Sequence, residues 1–275
     1  MLDGHVHIFT DSTINTAALQ PELKRAGTDG GVLLSLPPAA FPYLQTTLIS
    51  TRERLDNLFD WAAAAPGFYP FYWIDPLEED AREQVTLAVQ RGVAGFKVIC
   101  NRYYPGDDRA MRVFRDIAAG GKPILFHSGI LWDGAPSSKF NRPAEFEALA
   151  DLPELRFAMA HIAWPWCDEL IAVYGKLANA RQRRPDLSAE MFIDLTPGTP
   201  PVYRHDVLTR LFQTGYPVAQ NVFFGTDNNV SDYNAEWACE WVARDNAIYK
   251  ELQLPHETIA DIYAGNLMRF LCGAR

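Results

Sequence analysis

The sequence predicts a closed (β/α)8 barrel in which residues 1–275 form a single domain, and three observations lead there. Eight short apolar, β-branched runs recur along the chain, helical or long connecting stretches separate them, and no linker or composition break divides the sequence. Strand starts fall roughly thirty residues apart, the length a βαβ unit needs, which favours a closed parallel barrel over an open doubly wound sheet.

The predicted strands read, in order, LDGHVHIF, GGVLLSLP, FYPFYWIDP, VAGFKVIC, KPILFHSG, RFAMAHIA, MFIDLTP and NVFFGTD. Between them the spacing predicts helices such as Leu77 to Arg91, where Ala81, Val85, Ala88 and Val89 share one face, and Asp108 to Ala119, with Met111, Phe114 and Ile117. Long aromatic loops follow several strands, at Pro37 to Tyr43, Asn101 to Asp108, Gly129 to Arg142 and Asp227 to Trp237. In a barrel these loops build the active-site face, so their decoration predicts a shaped pocket.

Hydrophobic residues at 48% and charged residues at 21% give an ordinary globular mixture, and a formal charge of −9 argues against binding phosphate backbones. The basic cluster Arg181, Arg183 and Arg184 reads as a solvated helix end. Cysteines at 100, 167, 239 and 272 lack CxxC or CxxH spacing, so neither a disulfide framework nor a thiolate zinc site is expected. No leader is read before the first strand and no apolar run reaches membrane-spanning length, so a cytoplasmic protein is expected.

His5 and His7 are two apart on a strand, so both imidazoles face one way while Val6 and Ile8 face the other. Two neighbouring imidazoles suit a shared metal, or a hydrogen-bonded core pair. His127 ends PILFH, His161 ends AMAH, and Asp227 closes FFGTD, where a carboxylate at the end of an apolar strand is costly unless a cation compensates it. Ligands scattered over the ends of the first, fifth, sixth and eighth strands are what a metal centre in a barrel mouth requires; core packing would place Val, Ile or Leu there.

These residues resemble the amidohydrolase superfamily, and within it the amidohydrolase 2 branch, which contains aminocarboxymuconate semialdehyde decarboxylase, benzoate-type decarboxylases and hydrolases. The resemblance runs from DGHVHIF through PILFHSG, AHIAWP and FGTDN to IYAGNLMRFL, which looks like the branch's closing helix. It implies a TIM barrel without a flanking β-sandwich, with His5, His7, His127 and Asp227 as metal ligands. His161 matches the sixth-strand histidine, which acts on substrate or water in mononuclear members and binds a second ion in binuclear ones; the first role is expected. Lys97 in GFKVI matches a position where binuclear members carry a carboxylated, bridging lysine, while an ordinary lysine there pairs with a substrate carboxylate or a nearby acid. NNVSDYNAE after Asp227 lacks the proline common in the branch, so substrate contacts in that loop do not carry over.

Other residues stay undecided. Asp194 reads either as a partner behind a ligating histidine or as a helix-facing or capping residue. His205 and His256 read as surface residues, and Arg102, Tyr103, Trp132 and Arg142 read by default as surface decoration on loops, with recognition of an acidic or aromatic substrate as the alternative.

Three imidazoles and a carboxylate suit one divalent ion, with Zn²⁺ the default and Mn²⁺, Fe²⁺ or Ni²⁺ compatible. The expected chemistry is hydrolysis of an ester, lactone or amide of a small, acidic or neutral molecule, by water activated at the ion, with Asp227 and His161 catalytic. Decarboxylation of an aromatic or muconate-like acid is the alternative from the same ligands. A metal-free ligand-binding or isomerase barrel is disfavoured, because TPGTPP after the seventh strand removes amide donors that phosphate needs. A small-molecule substrate is the expected partner, with no nucleic acid or membrane; homo-oligomerisation stays open.

Overall fold

A computed structural model describes residues 1–9, 14, 16–44, 49–184, 186 and 189–273. The β-branched and aromatic runs form parallel strands β1 (Leu2–His7), β2 (Gly30–Leu34), β3 (Phe68–Trp73), β4 (Gly95–Val98), β5 (Ile124–Phe126), β6 (Arg156–Met159), β7 (Glu190–Asp194), β8 (Val222–Phe223) and β9 (Asn228–Asn229). They lie in the order β8-β7-β6-β5-β4-β3-β2-β1-β9. The predicted eighth strand is thus two short pieces. Val222–Phe223 pairs with β7 and Asn228–Asn229 with β1, while between them the Gly4 amide donates to Phe224 O at 2.9 Å and the Asp227 amide to His5 O at 2.9 Å. One stretch therefore bonds both end strands and closes a (β/α)8 barrel.

The helices are α1 (Thr16–Ala26), α2 (Thr51–Ala64), α3 (Ala81–Arg91), α4 (Asp108–Ala119), α5 (Cys167–Arg183), α6 (Pro201–Gln213), α7 (Ala235–Glu251), α8 (His256–Ala260) and α9 (Asn266–Cys272), with a π-helical turn Asp261–Gly265 before the last. Between β5 and β6 the chain makes 3-10 turns, Ser138–Asn141 and Pro143–Asp151. Helix α4 has the expected bounds. Helix α3 starts four residues later than the periodicity predicts, because the Asp75 carboxylate accepts from the Leu77 amide at 3.0 Å and fixes a turn there. No described helix is long and apolar enough to cross a membrane.

Period-two alternation sorts the strand side chains into two cores. Val6, Leu33, Tyr72, Phe96, Phe126, Phe157, Met159 and Ile193 face the helices. Val32, Leu34, Phe71, Leu125, Ala158, Phe192 and Phe223 fill the barrel, where α9 adds Phe270. The Phe270 ring lies 5.2 Å from Phe192, 5.4 Å from Phe223 and 6.2 Å from Phe71 between centroids, inside the range of favourable ring packing. Gly95 makes room for this plug, since a Cβ there would stand 2.3 Å from the Phe71 ring. One inward step further along each strand the filling changes: Trp73 follows Phe71, Lys97 follows Gly95, His127 follows Leu125 and Asp194 follows Phe192.

Candidate metal centre

That step puts the polar residues at the carboxyl ends of the strands, where barrels hold their active sites. From β1, His5 and His7 face inward together, buried, with their Nε2 atoms 3.2 Å apart. Asp227 arrives from the gap in the eighth strand through a left-handed turn of φ 61°, a conformation that Asp tolerates better than most residues. Its Oδ1 lies 3.5 Å from His5 Nε2 and 3.3 Å from His7 Nε2. Among the described residues these three form a group whose ligand atoms all fall within 4.8 Å of one another.

The triangle of 3.2, 3.3 and 3.5 Å fits a metal ion. Bonds of about 2.0–2.1 Å in tetrahedral array have ligand–ligand edges of about 3.3–3.4 Å. The back of His5 agrees: its Nδ1 lies 2.7 Å from Asp194 Oδ2, both side chains fully buried, and a proton on Nδ1 leaves Nε2 a bare lone pair. Asp194 is held in turn by the Thr196 amide, which donates to Oδ1 at 2.8 Å, and by the Thr196 hydroxyl. Desolvation pushes the Asp194 carboxyl up to about 6, against the pull of His161 and Thr196. His7 is supported differently. Phe9 stacks on it at 4.5 Å, and its buried Nδ1 has no hydrogen-bond partner among the described residues.

His127 and His161 stand beside this group, not in it. His161 lies 5.4 Å from His5 between ring centroids, and His127 4.9 Å from His161. His127 Nε2 is 3.0 Å from the Ile130 carbonyl, which assigns the proton to Nε2 and leaves Nδ1 as the donor atom for a metal. His161 Nδ1 is 3.3 Å from Pro197 O, leaving Nε2 bare. His161, Ile162 and Ala163 take φ of 62°, 48° and 49° in succession. For the β-branched Ile162 this is strained, and the strain turns His161 into the barrel mouth while Ile162 packs outward. Gly198 faces that ring; a Cβ there would lie 2.6 Å from His161 Cβ.

Lys97 is 1% exposed, its Nζ 3.4 Å from His5 Nε2. Desolvation pulls the amine down to about 8, opposed by the charges of Asp227 and Asp194. Desolvation likewise lowers all four imidazoles, His5 and His127 most strongly. At Asp227 desolvation pushes upward, but the His7 hydrogen bond and the charges of His5, His161 and His7 outweigh it and hold the carboxyl well below its usual range. At neutral pH the set is neutral imidazoles beside an ionised carboxylate, the protonation state a metal needs.

The group opens into a cavity of about 260 Å³ whose upper wall includes Trp73, Ile99, Leu131, Trp132 and Trp164. The loop arginines are absent from its lining: Arg102 pairs with buried Asp75, and Arg142 with Glu169 at 2.5 Å. Tyr103 is buried, its hydroxyl 3.4 Å from Ile99 O. His205 is an exposed partner of Glu251 at 3.0 Å, and His256 opens α8 on the surface.

Sequence reasoning left Asp194 undecided and missed Asp3. The Asp3 carboxylate, fully buried, accepts from the Thr226 amide at 2.9 Å, the Thr226 hydroxyl at 2.5 Å and the Tyr233 hydroxyl at 2.9 Å. It thereby fixes the turn that carries Asp227. Its partners Thr226 and Tyr233 lie 223 and 230 residues away, and β1 shifts register between Asp3 and Val6, so strand alternation gives no local signal for it.

No curated protein matches this sequence. Solved structures share the fold. An uncharacterised TIM-barrel protein, Bb4693 of Bordetella bronchiseptica, aligns with a TM-score of 0.69 at 18% identity, covering 98% of this chain and 97% of that one. An amidohydrolase from Burkholderia multivorans with bound Zn gives 0.66 at 12% identity over 98% of both chains. The 5-carboxyvanillate decarboxylase LigW of Sphingomonas paucimobilis gives 0.61 at 15% identity, covering 94% of this chain and 83% of that one. The family model described as amidohydrolase matches residues 16–271, beginning just after the HxH pair. With that match over most of its length, the chain belongs to the amidohydrolase family.

Proposed function

We propose that this chain is a metal-dependent hydrolase that opens an ester, lactone or amide bond of a small molecule, holding one divalent ion, zinc by default, with His5, His7 and Asp227. The observation that carries the reading is the triangle of ligand atoms with 3.2–3.5 Å edges. His127 is the fourth candidate ligand through Nδ1, and Lys97 stands as an unmodified amine beside a single-ion site. When bound, the ion supplies a lowered pKa for water, toward about 7, and polarisation of a carbonyl.

The remaining work falls to the chain's own residues. Asp194 holds the His5 ring and its tautomer, so Nε2 stays available. Asp227, held ionised, takes the proton of the attacking water. His161 lines the cavity with Nε2 unprotonated, so it relays the proton that Asp227 has taken from water to the leaving oxygen or nitrogen. Lys97 offers its ammonium to a substrate oxygen, and the tryptophan wall keeps bulk water from the reacting bond.

Decarboxylation of an aromatic acid is the second reading, favoured by the apolar wall, which disfavours a carboxylate more than neutral carbon dioxide. It ranks second because Asp227 is held ionised, as the proton acceptor that hydrolysis needs, which leaves the Lys97 ammonium as the acid for protonating a carbon. The test is protein purified without chelators, analysed for bound metal, then screened with lactones, amides and aromatic carboxylates. Metal-dependent acid formation supports hydrolysis; release of carbon dioxide without hydrolysis replaces it with the second reading.

A further inference from the structure

We propose that the cavity selects a flat, largely apolar molecule carrying a single anionic group, and rejects one carrying two. The inference rests on the metal reading above, because the substrate anion is placed beside the ion. Lys97, buried with its Nζ 3.4 Å from His5 Nε2, lines the cavity next to the candidate ligands. A single substrate anion meets its cation there.

A second anion would find no partner. Lys97 is the lone Lys or Arg among the described lining residues. The loops at this end of the barrel contribute Arg102, Lys139 and Arg142, and each is engaged elsewhere: Arg102 with Asp75, Lys139 over the Phe140 ring at 4.9 Å, and Arg142 with Glu169 and above the Trp166 ring at 5.3 Å. Residues 10–13 and 45–48, outside the described set, contain no Lys or Arg in the sequence. Away from the ion the second group would press on Trp73, Ile99, Leu131 and Trp164, where an unpaired carboxylate loses its hydration without compensation.

The shape is set by the same wall. A dry cavity of about 150 Å³ already holds benzene, so about 260 Å³ suits one substituted ring.

The experiment is calorimetric titration of metal-loaded protein, with metal content measured on the same sample, using benzoate, isophthalate and benzamide. Benzoate is expected to bind at least tenfold tighter than either of the others, and Leu131→Arg, which places a cation in the wall, to improve isophthalate binding at least tenfold relative to benzoate. Metal-loaded protein that binds isophthalate or benzamide as tightly as benzoate, or binds none of the three, overturns this inference alone. A sample that takes up no metal overturns the metal reading and this inference with it.

Discussion

The two ends of the barrel interior are built from the same strands and do opposite work. Below, Phe71, Leu125, Phe192 and Phe223 meet Phe270 of α9 in a dry plug. Above, one inward step along those strands, stand Trp73, His127 and Asp194 with Lys97, His5 and His7. The plug satisfies itself, because apolar burial and ring packing are favourable without a partner. The upper layer does not: it gathers imidazoles whose buried lone pairs and charges need an ion or substrate to balance them. Stability should therefore reside below and chemistry above.

Substitutions can break that division, beginning with the largest effect. Asp227→Asn removes the charged vertex of the triangle, and metal affinity should fall more than about a hundredfold with activity lost, while the melting temperature of metal-free protein stays level or rises. Elemental analysis and calorimetry check both halves; full metal occupancy would remove Asp227 from the ligand set. Phe270→Ala should do the reverse, costing about 3–5 kcal/mol in denaturant unfolding while metal stoichiometry stays the same. Loss of metal in folded Phe270→Ala protein would show that the two layers are coupled.

Smaller effects sharpen the comparison. Asp194→Asn keeps the shape behind His5 but removes the carboxylate, and metal affinity should drop about 10–100-fold; an unchanged value would mean His5 holds its tautomer without help. The pH dependence is the smallest signal. Because burial lowers the four imidazoles, protons compete with the ion only below the ordinary histidine value of 6.5. Affinity should fall as pH drops below 6.5, with the ligands binding protons that the ion must displace, while a change between pH 8 and 7 belongs to Lys97, whose amine is pulled down to about 8. A level affinity from pH 7 to 5 would contradict histidine ligation.

Much of this was legible in the sequence because the barrel repeats a simple pattern. Period-two alternation exposes HVH as a same-face pair, and the strand-end positions of His127, His161 and Asp227 follow from where apolar runs stop. What stayed hidden depends on closure. The partners His5 and Asp194 are 189 residues apart, and Asp3 and Thr226 are 223 apart. Neither pairing has a local signal. Arg102 and Arg142 stayed open between surface decoration and substrate contact because a sequence does not say that Asp75 and Glu169 engage them. The eighth strand reads as one run in NVFFGTD, yet Gly225, where a Cβ would meet Thr196 Oγ1 at 2.3 Å and His5 Cβ at 2.9 Å, lies between the two paired pieces.

That interruption has a mechanical consequence. The cylinder is sealed along its last joint by two residue pairs on each side and a few isolated amide bonds, and the carboxylate reaching the first strand's imidazoles stands in the middle of it. An ion bound there is a clasp joining the beginning of the chain to its last strand. Loading it should slow amide hydrogen exchange from Phe224 to Asn229 while leaving the β2–β3 ladder unchanged, so that cofactor uptake and completion of the hoop become one event.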